Sequence, residues 1–106
     1  MADKVVPLSR SYGVHGVTFD KVTLRSPTLA DHFAVGDPVE IHPAPDGTGQ
    51  FVVQHLDRIA DYRDRLVREP GLEMLMGLDL VDSLAIKDAI TDFFLEAHRL
   101  RAKPTS

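Results

Sequence analysis

The closing stretch of the chain carries more apolar surface than a single helix face buries. On a wheel of about 100° per residue, Ile86, Ala89, Ile90, Phe93, Phe94, Ala97 and Leu100 form one broad apolar stripe. Leu80, Leu84 and Leu95 form a second stripe beside it. Only Asp88, Asp92, Glu96 and Arg99 are plainly turned to water. Asp79 is the expected N-cap, with Asp82 at the third helical position, and both acids suit the positive end of the helix dipole. The helix is expected to run to residue 100, where Arg99, Arg101 and Lys103 suit its negative end. One core needs one face. Leu80, Leu84 and Leu95 therefore either sit under other elements or contact another chain, and contiguous apolar area left exposed marks an interaction site.

The elements before it follow from period and punctuation. Residues 4–25 read as a β-hairpin: Val6, Leu8 and Tyr12 share one parity, as do Val17 and Phe19, and Gly13 to Gly16 supply the turn. Val22 and Leu24 stand in the opposite register, so a bulge near Asp20 and Lys21 is expected to restore a common buried face. Pro7 fits an edge strand or a strand entrance. Thr28, three residues before Asp31, resembles a capping box opening a short helix over 28–35. Residues 36–49 read as a Pro/Gly-rich loop in which Val39 to Ile41 form at most a short strand. Helical period then spans 50–100. Its first helix covers 50–68, with Val52, Leu56, Ile59 and Leu66 inside and Asp61–Arg65 and Asp64–Arg68 as i,i+4 ion pairs outside. Glu69-Pro70-Gly71 ends that helix, and a turn of helix over Leu72–Met76 follows. Residues 101–106 are expected to be a flexible tail. The fold class is α+β, one small domain with an N-terminal hairpin followed by three to four helices.

Few residues are arranged for chemistry. Zero cysteines exclude a disulfide framework, a thiol nucleophile and a Cys-based zinc site. The five histidines (His15, His32, His42, His55, His98) never recur at helical or strand spacing. Asp88, Asp92 and Glu96 align at i, i+4 and i+8, which suits a solvated stripe better than a divalent-cation site. No catalytic group, cofactor or metal is expected, and a metal-dependent enzyme on that stripe ranks below an interaction protein. The net charge of −4 argues against nucleic acid or an anionic membrane as partner. A helix-turn-helix regulator built on 72–76 and 80–100 is an alternative, but the second of those helices is acidic. One cation does stand out. Arg63 falls near the middle of the apolar stripe of the 50–68 helix, where it either snorkels or pairs with Asp82, Asp79 or a partner. Arg63, Leu80, Leu84, Phe94 and Leu95 are thus the candidate partner-binding residues.

Two stretches resemble a known family. Val22 to Asp31, reading V-T-L-R-S-P-T-L-A-D, resembles the "L-R-x-P-T-x-x-D" segment of tail assembly chaperones of long-tailed bacteriophages, in the Mu-like prophage branch. Leu78 to Phe94 is similar to that family's closing "L-x-x-x-D-x-x-x-L/I-x-x-A-(I/V)-x-x-F" helix. Order and spacing agree over most of residues 5–96, while the Pro/Gly-rich residues 36–50 are longer than the family pattern. The resemblance implies a non-enzymatic factor that binds the helical tape-measure protein in the host bacterial cytoplasm and is absent from the mature virion. It further implies a frameshifted longer form that recruits the tail-tube protein. Self-association is the remaining expectation for the surplus apolar stripe.

Overall fold

A computed structural model describes residues 1–102. Strands β1 (Lys4–Val14) and β2 (Val17–Leu24) form an antiparallel hairpin closed by His15 and Gly16, both at positive φ. Two residues of that conformation give a turn whose twist matches the strands it joins. Val6 and Tyr12 from β1 and Phe19, Val22 and Leu24 from β2 face the core. Lys21 pairs with Pro7 and Phe19 with Tyr12, so Leu8 to Ser11 all lie opposite Asp20. The irregularity is at the level of Asp20, but its surplus residues belong to β1. Pro7 is accommodated because β1 is an edge strand of the sheet.

After β2 the chain enters α1 (Leu29–Val35). The Asp31 carboxylate reaches back to the Thr28 backbone N–H at 2.9 Å, the reverse half of a capping box. Asp31 is also buried, and Arg25 meets it with two nitrogens at 2.7 and 2.9 Å. That fork holds its carboxyl well below the usual carboxylate range.

Three expectations for the middle of the chain are corrected. Residues 36–49 are not loop throughout: the short strand expected at Val39–Ile41 is β3 (Val39–Pro43), and it pairs with β4 (Gln50–Gln54) in a second, two-stranded sheet. Gly47 and Gly49 take positive φ and turn the chain between the two strands. The helix α2 accordingly starts at Leu56, not residue 50, and ends at Leu66. Phe51, Val52 and Val53 are aromatic and β-branched, and strand pairing with β3 outweighs their helical spacing. Val67–Glu69 then form β5, which adds to the free side of β2 and gives the order β1-β2-β5. Pro70 disfavours helix at Glu69, so the chain stays extended there. Neither expected i,i+4 pair forms. Arg68, now in β5, bonds Asp3 at 3.0 Å, and Arg65 lies 3.6 Å from buried Asp31.

The helical turn after Pro70 is a 3-10 turn at Leu72–Met74, shorter than expected. Helix α3 (Leu80–Ala102) follows, so Arg101 and Ala102 of the expected tail are helical and 103–106 lie outside the described residues. Ile86, Ile90, Phe93 and Phe94 of its first stripe are buried with Tyr62 and Leu66 of α2 and Val22 and Leu24 of β2. Tyr62 and Phe94 meet edge to face, ring centres 4.8 Å apart. The class is α+β, with mixed strands and helices in one small domain, and no described helix is long and apolar enough to cross a membrane.

Candidate binding groove

The beginning of α3 is fixed from the β1 side. Asp82 is buried and accepts hydrogen bonds from the Ser9 N–H at 2.7 Å, the Ser9 Oγ at 2.8 Å and the Tyr12 hydroxyl. The residues between Pro7 and Tyr12 depart from regular pairing with β2, and Ser9 among them meets α3. The Tyr12 and Ser9 bonds hold the Asp82 carboxyl below its ordinary value. Arg10 bonds Asp79 at 2.9 Å and lies over the Tyr12 ring at 3.8 Å. Both acids at the start of α3 are therefore committed to β1.

The other side of that half-helix is open. A groove of about 250 Å³ lies between α2 and α3. Leu56, Ile59, Ala60 and Arg63 form its α2 wall, and Ile86, Lys87 and Ile90 belong to the α3 wall. The connection between the helices contributes Leu75, Met76 and Leu78. Leu80, Leu84 and Lys87 stand at i, i+4 and i+7, so the two leucines continue the line of Lys87 toward the start of the helix. Leu80 is 73% exposed, Leu56 65%, Met76 61% and Leu84 44%. Leu56 and Met76 thus rim a concave apolar surface, the arrangement expected of a docking face, while Leu80 and Leu84 lie on α3 next to its lining residues.

The five residues singled out from sequence divide. Arg63 lines the groove, but its partner is the adjacent Asp64 at 2.9 Å, not Asp79 or Asp82. Those acids are held by β1. Leu80 and Leu84 are exposed beside the groove, while Leu95 is half-buried further along α3. Phe94 is corrected from partner-binding to core: it is 9% exposed and packs on Tyr62. The wheel gives a meridian without depth along the axis. On the meridian of Leu80 and Leu84, Thr91 is buried where Gln54 of β4 donates to its hydroxyl at 3.0 Å. Missing from the sequence-based set were Leu56 and Met76. Leu56 lay in an apolar stripe and read as core, and Met76 carried no periodic signal.

The acidic stripe is partly spent on structure. Glu96 pairs with Lys4 at 2.8 Å, and no group of three metal-ligating side chains occurs among the described residues. Lys4 also lies 4.9 Å from the Phe93 ring centre, so this pair seals the β1–α3 contact. The chain matches no protein-family model, no curated protein and no solved structure.

Proposed function

We propose that this chain is a phage or prophage tail assembly chaperone whose α2–α3 groove binds the tape-measure protein and keeps it soluble during tail assembly. The observation that carries the reading is the open groove edged by exposed Leu56 and Met76, with exposed Leu80 and Leu84 on the same stretch of α3. The surplus apolar stripe of the last helix is thus used outside the core, at the first half of α3. A hairpin leading through Arg25, Thr28 and Asp31 into a capped helix also agrees with the order of the family pattern. Helix-in-groove recognition needs only such an apolar channel, and many weak copies along one long chain gain by avidity. On this reading the protein performs no chemistry, works in the host cytoplasm and leaves before the particle is complete. A longer frameshifted form would bring tail-tube subunits to the same complex.

Co-expression with a tape-measure protein of a long-tailed phage, followed by size exclusion with light scattering, tests the reading. The expected result is a soluble complex with many copies of this chain per tape-measure chain, lost in Leu80→Asp/Leu84→Asp. A monomer peak unmoved by co-expression would contradict it.

A further inference from the structure

We propose that the α2–α3 groove takes an α-helix whose apolar seam is flanked by carboxylates, an inference that rests on the docking role above and names the chemistry of what docks. The form of the occupant follows from the walls. Both are helices whose backbone groups are consumed internally, so the groove offers no strand edge to an incoming chain. A segment bound there must satisfy its own backbone, as a helix does. From Ser83 to Ile90, the α3 residues that line the groove, the helix rises about 10 Å, room for about two turns of a partner carrying apolar residues at i, i+3 or i+4, and i+7.

Charge sets the flanks. The chain carries −4, yet the two charged residues lining the groove are Arg63 and Lys87, one on each wall. Three and four residues either side of Lys87 stand Ser83, Leu84, Ile90 and Thr91, so α3 offers it no carboxylate at helical spacing. Arg63 shares its charge with Asp64, but that pair is well exposed and weak, open to exchange with a carboxylate held at the groove. Asp79 and Asp82 are turned to β1 and do not neutralise the channel. A cationic apolar channel on an acidic protein favours an acidic amphipathic helix.

The probes are two fluorescent helical peptides with the same Leu seam, one flanked by Glu and one by Lys, read by anisotropy. The wild type is expected to bind the Glu peptide roughly tenfold tighter than the Lys peptide, and Arg63→Glu/Lys87→Glu to reverse that order. Lys87→Gln, a milder change at a half-exposed site, is expected to narrow the preference and serves if the double variant fails to fold by circular dichroism. Equal binding, binding of neither peptide, or a preference indifferent to Lys87 and Arg63 would overturn the proposal. So would light scattering that shows a second copy in the groove, dispersed by the double variant. Peptide discrimination without any tape-measure complex would overturn the functional reading alone. A tape-measure complex indifferent to the charge reversal would overturn the charge assignment alone.

Discussion

At the scale of single residues, two buried carboxylates hold the fold's joints. Asp31 ties α1 to the end of β2 through Arg25, and Asp82 ties α3 to β1 through Ser9 and Tyr12. Both are held below their ordinary value of 3.8 in the folded chain, Asp31 chiefly by Arg25 and Asp82 chiefly by Tyr12. A carboxylate depressed on folding stabilises fully above its unfolded value, and that contribution is lost as pH falls through the folded one. The urea midpoint is therefore expected to drop as pH falls from about 5 to about 2, and to drop less in Asp31→Asn, which has one such group fewer. An equal drop in both proteins would show that Asp31 does not contribute. Half of this arrangement was legible: Thr28 and Asp31 stand at capping-box spacing. The role of Asp82 was not, because it depends on where the irregular stretch of β1 puts Ser9, a tertiary fact with no local signature.

At the scale of elements, α3 buries its middle, Ile86 to Phe94, on one face and leaves Leu80 and Leu84 before it and Leu100 after it exposed. Phe94→Ala is expected to cost about 3–5 kcal/mol, since it empties the space against Tyr62. Leu84→Ala, at an exposed site, is expected to cost about 0.5 kcal/mol or less. Chemical denaturation of the two variants checks the division, and comparable losses would mean that Leu84 is core. The β3–β4 connection makes a second contrast. Gly47 and Gly13 both have open space for a Cβ, but only Gly47 has positive φ. Gly47→Val is thus expected to lose about 1–2 kcal/mol by backbone strain, while Gly13→Ala, read by the same urea curve, stays within about 0.5 kcal/mol. The alternating residues of the first hairpin and the length of the last helix were readable from period alone. β4 was not, because Val52 and Val53 fit the stripe of the following helix by spacing, and a run of three apolar residues, Phe51 to Val53, supports either structure. β5 was too short to leave a pattern.

At the scale of the whole molecule, the long axis spans 51 Å against 29 and 25 Å for the others, a shape with much surface for its mass. The described charges are organised within it: acids at the start of α3 are used on the β1 side, and cations line the opposite groove. The exposed leucines of α3 were legible as surplus, but their location was not, because it depends on where β4 covers Thr91. Hydrogen exchange by mass spectrometry, on the chain alone and mixed with a tape-measure protein, tests the proposed groove. Protection is expected to rise over α2, over residues 75–78 and over the first half of α3, with β1, β2 and α1 unchanged. Protection confined to α1 or the strands, or none anywhere, would contradict the groove as the binding site.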